Sequence, residues 1–341
     1  MQRRSIGIDI TKGILTVGMV FTHVNAFLSN NNSMMLKGLI ILTDLVSFSG
    51  FLFCFGFASW SAYLSKPSIP WKSAIRTAFK CYLAFVTSGV AFRVLVDREN
   101  LSPRVIMRVS LLRDVPGFSE FLLAFSIVTL FGCIMAPVIR AATNSVKNLL
   151  VAMAVCIFVT FFPARTSLDP LIGLFIGSSD YSYYPVIQYF PLFLLGVFAA
   201  RTEIVPQVKL FLVGSAGTIA FLVLDSIDII KIIINRFPPS LLWILGSICA
   251  VVAYYGIAHF IALSSHTWLA KYLNAVGSNV LLYLLASNLV LFVLKALRVS
   301  GSHDLKDVVI TYCAMMAFIF FIQAIVVDLH RSDSSLKSNA T

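Results

Sequence analysis

The sequence has few charged residues for its length. Of its 341 residues only 12% are charged, whereas a soluble domain carries about 25%. Hydrophobic residues make up 59% of the chain, and the mean hydropathy is +0.91. These charged residues are too few to cover the surface of even one water-soluble domain. The composition therefore excludes a soluble protein and predicts an integral membrane protein in contact with the lipid bilayer.

Paired cysteines and metal-binding patterns are also missing. The six cysteines lie singly within apolar runs, without a CxxC pair or a Cys/His spacing typical of zinc sites. We interpret them as packing residues and expect no metal. The formal net charge of +11 is explained by cytoplasmic loops and anionic lipid headgroups, so we expect no nucleic-acid partner.

Apolar runs long enough to cross a bilayer recur along the chain, since a spanning helix needs about 20 mostly apolar residues. The fifth run is short and the seventh ends in the mixed stretch DSIDIIKIIINR, so eight or nine spans are the alternative. The pattern predicts an all-α integral membrane protein with about ten transmembrane helices in one bundle over 1–330, and a disordered cytoplasmic tail over 331–341. The ten runs are 6–28, 38–64, 74–96, 118–142, 147–163, 184–200, 208–227, 238–263, 273–297 and 306–329.

Lys and Arg are distributed almost evenly between the two sides of the membrane. With a cytoplasmic N-terminus, thirteen lie on the inner side and twelve on the outer side, so the positive-inside rule alone does not fix the orientation. Five of the outer residues belong to one stretch, 93–113. Without that stretch the bias favours two cytoplasmic termini, as in a multi-pass protein of the inner (plasma) membrane.

The first run carries its polar side chains on one helical face. Asp9, Lys12, Thr16 and His23 are 3, 4 and 7 residues apart, and at 100° per residue these spacings form one stripe. Ionisable groups in hydrocarbon cost roughly 2.5–3.5 kcal/mol or more each, so they usually face a cavity or a partner. The stripe predicts a functional site. The alternative is that Lys12 extends to the headgroups and pairs with Asp9, while His23 only packs against another helix.

Four segments resemble the membrane acyltransferases of the acyltransferase-3 superfamily. GIDITKG (7–13) followed by a histidine, with ten residues between the basic residue and the histidine, is similar to that superfamily's first helix. SFSGFLFCFG (47–56), FPLFLLG (190–196) and VGSNVLLYLLASN (276–288) resemble its second, sixth and late helices. The resemblance covers most of the chain and agrees with ten spans.

The resemblance implies transfer of an acyl group, usually acetyl from cytoplasmic acetyl-CoA, to a hydroxyl of a cell-envelope glycan or a lipid-linked sugar. His23 is the expected catalytic base, because an imidazole can take the proton of an alcohol near neutral pH; a nucleophilic role through an acyl-imidazole is the alternative. Asp9 belongs to the same catalytic stripe. About 21 Å of helix separates it from His23, so we expect it to pair with Lys12 or to cap an access cavity.

Basic residues are expected to bind the polyanionic acyl-CoA. Lys12, Arg76 and Lys80 lie on the predicted inner side, and the last two share a helical face. An ordinary positive flank that anchors the third helix is the alternative for that pair. The sequence departs from the superfamily here, because Lys12 replaces the commoner arginine and the pair is four residues apart instead of three.

Other expected substrate contacts come from several runs. Ser49, Tyr283 and Asn288 are expected as donors to the thioester carbonyl, although many superfamily members have a histidine near the position of Asn288. Glu120 is expected either to bind sugar hydroxyls or to pair with an arginine. Arg236 in RFPP resembles a basic-Pro-Pro element, and an ordinary helix start is the alternative.

The basic stretch 93–113 also admits two interpretations. Arg93 and the four arginines that follow it suit an acceptor with phosphate or carboxylate groups, or else a surface helix that lies on headgroups. Their spacing favours the surface helix.

Two other function classes fit the sequence. A proton-coupled secondary transporter of a small envelope precursor would also bury Asp, Lys and His, but the sequence has no visible half-to-half repeat. A non-catalytic subunit of an envelope assembly complex is the third class, which a dispensable His23 would favour.

Overall fold

A computed structural model describes residues 5–29, 34–161, 170–177, 184–227, 233–297 and 305–338. The chain is about 82% helical, and the described ranges contain no β-strand. A π-helical turn (Trp60–Leu64) extends α2, and a 3₁₀ turn (Val159–Phe161) extends α7. In chain order the helices are α1 (Ile6–Leu28), α2 (Met34–Ser59), α3 (Trp71–Leu95), α4 (Pro103–Ser110), α5 (Glu120–Ile134), α6 (Ala136–Ala142), α7 (Val146–Phe158), α8 (Pro170–Ile176), α9 (Val186–Arg201), α10 (Val208–Asp225), α11 (Leu241–Leu263), α12 (Trp268–Ser278), α13 (Val280–Ala296) and α14 (Leu305–Ser338).

Five helices in the described ranges are long and apolar enough to cross a membrane, namely α2 with its extension, α3, α10, α11 and the part of α14 up to Val326. The number rises to seven if the bent pairs α5–α6 and α12–α13 each count as one span. Two further apolar helices, α7 with its 3₁₀ turn and α9, are shorter. These helices make the chain an all-α membrane protein.

Two runs predicted as single spans are each divided into two helices. The run 118–142 bends by 83° between α5 and α6, where Pro137 lacks the N–H that would continue the helical hydrogen bonds. The run 273–297 begins within α12 and bends by 80° before α13. Asn279 leaves the helical conformation there, and its side-chain amide donates to the Ala275 carbonyl, so a side chain satisfies part of the helix end.

Polar contacts tie neighbouring helices together in two groups. In one group, Arg140 Nε donates to the Leu64 carbonyl over 2.7 Å, and Arg201 donates to the Arg140 carbonyl over 2.6 Å. In the other, Arg236 forms an ion pair with Asp44. Twenty residues of α2 and its extension separate Asp44 from Leu64, or roughly 30 Å at the helical rise. The two groups therefore lie about one hydrocarbon thickness apart.

The first helix lies among its neighbours and contacts α2, α11, α12, α13 and α14. A methyl group added to Gly13 would lie 2.1 Å from the carbonyl oxygen of Leu273, and one added to Gly277 would lie 1.7 Å from that of Asp9. The α1 and α12 backbones therefore touch directly, as small residues allow between membrane helices.

The helices α2 and α9 meet in the same way. A methyl group on Gly56 would lie 2.1 Å from the Phe193 carbonyl oxygen, and one on Gly196 would lie 2.0 Å from that of Phe53. The four segments that carry the family resemblance contribute one of these glycines each. Gly13 and Gly277 belong to the contact of α1 with α12, and Gly56 and Gly196 belong to the contact of α2 with α9.

The C-terminal helix is longer than the sequence predicts. The predicted run 306–329 lies within α14, whose backbone is helical from Leu305 to Ser338. The stretch 327–338 contains no glycine or proline that would end a helix. Residues 339–341 of the predicted tail lie outside the described ranges.

Candidate functional site

A cavity of about 330 Å³ lies at the His23 end of α1, within the usual size range of ligand pockets. Its wall comes from α1, α2, the start of α5, and the segments that precede α9 and α11. The polar side chains on that wall include His23, Asp44, Glu120, Tyr184 and Arg236. Residues from five parts of the chain thus converge near the predicted base.

Asn288 on α13 fixes the tautomer of His23. Its side-chain nitrogen donates to the Phe118 carbonyl over 2.7 Å and to Ser88 Oγ over 3.2 Å, so its Oδ1 must be the atom 3.2 Å from His23 Nδ1. An amide oxygen only accepts, which assigns the proton to Nδ1. Nε2 therefore keeps a lone pair and can accept a proton.

The ring of His23 is also held by packing. It meets the ring of Phe118 edge-on, with centroids 5.0 Å apart. Phe118 thus contacts His23 with its ring and Asn288 with its carbonyl oxygen. This arrangement orients a histidine by a second residue, as sites with an activated base require.

Arg236 is positioned by the turn before α11. Ser240 caps α11 by accepting from the Trp243 N–H, and the same hydroxyl accepts from the Asn235 N–H over 3.3 Å. The Ser240 N–H donates back to the Asn235 carbonyl over 2.9 Å. This closed turn directs the guanidinium to the cavity, where it lies 4.8 Å from the centroid of the Phe237 ring.

The Arg236 guanidinium already has two polar partners. One terminal nitrogen lies 2.7 Å from Asp44 Oδ2, and the other donates to the Tyr184 hydroxyl. Burial lowers the pKa of Arg236, but Tyr184 and Asp44 raise it by more, so the group stays charged. Burial raises the pKa of Tyr184 to about 12. Its hydroxyl thus keeps a proton, which it can donate to a ligand.

Three buried polar atoms on this wall have no hydrogen-bond partner among the described residues. They are the oxygens Asn25 Oδ1 and Glu120 Oε2 and the nitrogen Arg236 Nε. Buried polar atoms are nearly always paired, by protein, water or a ligand. The cavity therefore offers two open oxygens and one open donor beside the imidazole.

A second cavity of about 250 Å³ lies near the Lys12 part of α1, and its wall is mostly apolar. Lys12 Nζ forms an ion pair with Asp9 over 2.6 Å, as predicted from their spacing. Both cavities use α1, α2 and α5, and the neighbouring residues Phe121 and Leu122 line different cavities. Asp9 thus pairs at the Lys12 cavity and does not line the cavity of His23.

Aromatic rings connect residues of the two cavity walls. Phe48 stacks on Tyr184 of the first cavity at a centroid distance of 4.0 Å, and its ring is 5.9 Å from Phe125, which lines the second. Phe51, another residue of the second cavity, meets Phe125 at 6.2 Å. The Phe48 ring therefore contacts aromatic residues from both cavity walls.

Four predicted contact residues lie elsewhere. Arg76 and Lys80 are exposed on α3 and line neither cavity, which is consistent with a flank that anchors this helix. Ser49 and Tyr283 are buried but also line neither cavity. Asn288 differs from its prediction in another way, because both of its N–H groups are engaged and cannot polarise a carbonyl.

The prediction that Arg93 binds substrate is not supported by its contacts. Its guanidinium bonds Asp114 over 2.6 and 2.9 Å and Asp97 over 2.6 Å. In the same stretch Arg108 pairs with Glu99 over 2.6 Å. These ion pairs connect α3 and α4 to their loops. The surface-helix interpretation agrees better with α4, where Ser102 caps the helix and Pro103 begins it.

Two residues of the cavity wall, Asp44 and Tyr184, are not among the predicted site residues. Asp44 had a visible signal, since it is the only charged residue in the apolar run 38–64, and a lone charge in such a run indicates a site. Tyr184 had none, because its role depends on a contact with Arg236 across 52 residues.

The arrangement provides a histidine with a free lone pair, an ion pair and three open hydrogen-bonding atoms in one polar cavity, next to an apolar cavity. In the ranges that the structure describes, no three His, Cys, Asp or Glu side chains converge as metal ligands do. The chain matches no family model, and no curated protein or solved structure matches it.

Proposed function

We propose that the protein is a membrane O-acyltransferase similar to the acyltransferase-3 superfamily. It moves an acyl group, acetyl in the simplest case, from cytoplasmic acyl-CoA to a hydroxyl of a cell-envelope glycan or lipid-linked sugar. The observation that supports this most is His23, held by Asn288 as the Nδ1–H tautomer in a cavity with Glu120 and Arg236. A base with a free lone pair beside open donors and acceptors is what alcohol activation requires.

The proposal includes ten membrane-embedded segments with both termini in the cytoplasm of a cell with an envelope, in its inner membrane. Five long helices, two bent pairs, two shorter apolar helices and α1 together make ten. This orientation puts the Lys12 cavity toward the cytoplasm and the His23 cavity toward the outside. Acyl-CoA would approach from the first side and the glycan from the second.

His23 acts on the hydroxyl proton. Its Nε2 accepts this proton while the hydroxyl oxygen bonds to the carbonyl carbon of the thioester, and the C–S bond breaks. His23 then returns the proton to the departing thiolate sulfur, which restores the neutral ring. Asn288 Oδ1 accepts the Nδ1–H bond throughout and stabilises the imidazolium between these steps.

The Lys12 cavity suits the donor side. Its apolar wall, which includes Phe51, Cys54 and Leu284, fits a hydrocarbon or pantetheine-like chain better than a charged group. Lys12 adds one cation, already partnered by Asp9. Arg76 and Lys80 are exposed on the same side of the membrane, where they would meet phosphates before the cavity is reached.

Replacement of His23 tests the proposal. Purified protein receives radiolabelled acetyl-CoA with envelope lipid and glycan, and the label on the glycan is measured for wild type and H23A. We expect a loss of about 100-fold or more, because a general base contributes roughly 10²–10⁴-fold. H259A is the matched control, since His259 on α11 lines neither cavity. Undiminished transfer by H23A would exclude His23 as the base.

Proton-coupled transport is the second candidate. The bends of 83° and 80° in α5–α6 and α12–α13 favour it, because broken helices are typical of transporter sites. Vesicles that contain the protein distinguish the two functions. Flux of an envelope precursor that depends on His23, without label transfer in the assay above, would support transport in place of acyl transfer.

A further inference from the structure

We propose that the cavity around His23 selects an uncharged acceptor with adjacent hydroxyl groups over one with a carboxylate or phosphate at the same place, and that Asp44 sets this preference. The inference rests on the proposed function, because it takes the acyl acceptor as the ligand of this cavity. To that function it adds the chemical class of the acceptor and the residue that determines the specificity for it.

The open atoms of the wall indicate what the ligand must offer. Asn25 Oδ1 requires a donor, and Arg236 Nε requires an acceptor; both atoms, like Glu120 Oε2, are buried and without a partner among the described residues. A hydroxyl group both donates and accepts, and two hydroxyls on neighbouring carbons can satisfy the pair. A carboxylate or phosphate oxygen only accepts, so it can bond Arg236 but leaves Asn25 Oδ1 unsatisfied.

The charges on the wall lead to the same class of ligand. The Asp44 carboxylate lies 2.7 Å from the Arg236 guanidinium and neutralises it. Glu120 then adds a negative charge or none, depending on its protonation, while His23 is neutral in the form that acts as a base. The polar wall thus has no surplus positive charge to balance an anionic ligand, whose burial without a counter-ion is unfavourable.

The basic stretch near the cavity does not supply that counter-ion. Arg93 and Arg108 lie on the same side of the membrane, but their guanidinium groups are paired with Asp97, Asp114 and Glu99. None of the five arginines of the stretch lines the cavity, so they supply no counter-ion to an acidic acceptor inside it.

The volume of the cavity limits how much of the acceptor can enter it. A cavity of about 330 Å³ is at the lower end of the range for ligand pockets, roughly 300–1,000 Å³. Only the part of a glycan that reacts fits inside, next to His23. The selection therefore acts on one sugar residue and not on the total charge of the polymer.

Matched sugars test the preference in the purified full chain without acyl-CoA. The probes are methyl glycosides of glucose, galactose and mannose, each compared with its uronic acid, which differs by a carboxylate at C6. Dissociation constants are measured by ligand-observed NMR titration in detergent. We expect at least one neutral glycoside to bind about tenfold or more tightly than its uronide. Equal or tighter binding of the uronides, or no binding of any probe, would overturn the inference.

Removal of one carboxylate should reverse the preference. D44N frees the Arg236 charge with almost no change of shape, so we expect the uronide to gain about tenfold in affinity relative to the neutral sugar. E120Q is the second variant, which is expected to change the ratio in the same direction if D44N fails to fold. D114N is the matched control, because Asp114 pairs with Arg93 outside the cavity; its ratio should equal that of wild type. An unchanged ratio in a folded D44N would exclude Asp44 as the specificity residue.

Label transfer to the same sugars separates this inference from the proposed function. Transfer to neutral sugars and uronides at equal rates would contradict the preference but support the acyltransferase. A binding preference without any transfer to sugar or envelope glycan would contradict the acyltransferase and leave the selectivity of the cavity established.

Discussion

Asn288 determines which nitrogen of His23 can act as a base. Its amide cannot be reversed, because its nitrogen donates to a backbone carbonyl, that of Phe118, which only accepts. The oxygen therefore faces Nδ1 of the imidazole, and Nε2 keeps the lone pair. Asn288 acts through His23 and is a positioning residue.

Substitution of Asn288 should slow transfer without weakening the binding of the acceptor. We expect N288A to lower kcat about tenfold, the value of roughly one hydrogen bond to the ring, with KM for the acceptor nearly unchanged. Rates are measured across pH, since only the neutral imidazole accepts a proton and the wild-type rate should rise as the ring deprotonates. If Asn288 has only a structural role, the pH at the midpoint of this rise should be the same in N288A and in wild type.

Ser88 provides the graded control for Asn288. Its hydroxyl accepts one bond from the Asn288 nitrogen over 3.2 Å, while the shorter bond to Phe118 does not depend on it. S88A should therefore reduce kcat less than N288A does. An equal loss in both variants would indicate a general distortion of the cavity in place of a specific orientation of His23.

The sequence predicts some of these residues and not others, for a physical reason. Lys12 and Asp9 are three residues apart on one helix, so their ion pair follows from helical spacing alone. The bond of His23 to Asn288 joins residues 265 positions apart, and no local pattern contains such a distance. The same applies to Asp44, whose charge was visible but whose partner Arg236 was not.

At the scale of helices, the contact of α1 with α12 has no spare room. A methyl group on Gly277 would lie 1.7 Å from the Asp9 carbonyl oxygen, so α12 must move away from α1. The α1 backbone at this contact carries Asp9, which pairs with Lys12. The contact therefore supports the Lys12 cavity as well as the packing of the bundle.

Enlargement of Gly277 should destabilise the protein. We expect G277A to cost about 1–3 kcal/mol, as overpacking usually does, and to lower the Tm by at least about 2 °C in a thermal melt of the purified protein in detergent. Gly38 on α2 is the matched control, because nothing lies within 4 Å of an added methyl group. G38A should keep or raise the Tm, since alanine favours a helix. Equal Tm values for both variants would contradict the close contact.

Helix positions were more predictable than helix continuity. The first run matches α1 at both ends, 6–28, because its apolar character stops at polar residues. The runs 118–142 and 273–297 contain enough apolar residues for one span, but each is bent. Hydropathy measures transfer into lipid and does not detect the backbone break near Pro137 or at Asn279. The glycines of the four resembling segments are likewise explained by packing, which appears only once the helices are placed together.

At the scale of the whole molecule, the two groups of polar contacts lie toward opposite ends of the bundle. Arg140 and Arg201 join the end that includes Leu64, and the cavity of His23 belongs to the other end. With the N-terminus in the cytoplasm, the turn 65–70 is inside and the loop 96–102 is outside. This arrangement follows from the alternation of the helices along the chain.

Cysteine labelling tests this orientation. Ser68 and Asn100 are exposed in these two segments, and neither segment contains a native cysteine. We expect N100C to react with a membrane-impermeant maleimide in cells whose plasma membrane is intact, and S68C to react only after the membrane is opened. Wild type gives the background from the six native cysteines. The reverse pattern would place the termini outside, and labelling of both variants before opening would contradict the alternation.

The helix α1 belongs to the walls of both cavities, as do α2 and α5. A ligand that displaces α1 at one end therefore alters the shape that the other ligand meets. Thermodynamic linkage requires such an influence to be reciprocal, so that each partner changes the affinity for the other by the same factor. The affinities of the two cavities for their ligands are therefore coupled. A substitution in α1 that increases the affinity of one cavity is expected to change the affinity of the other as well.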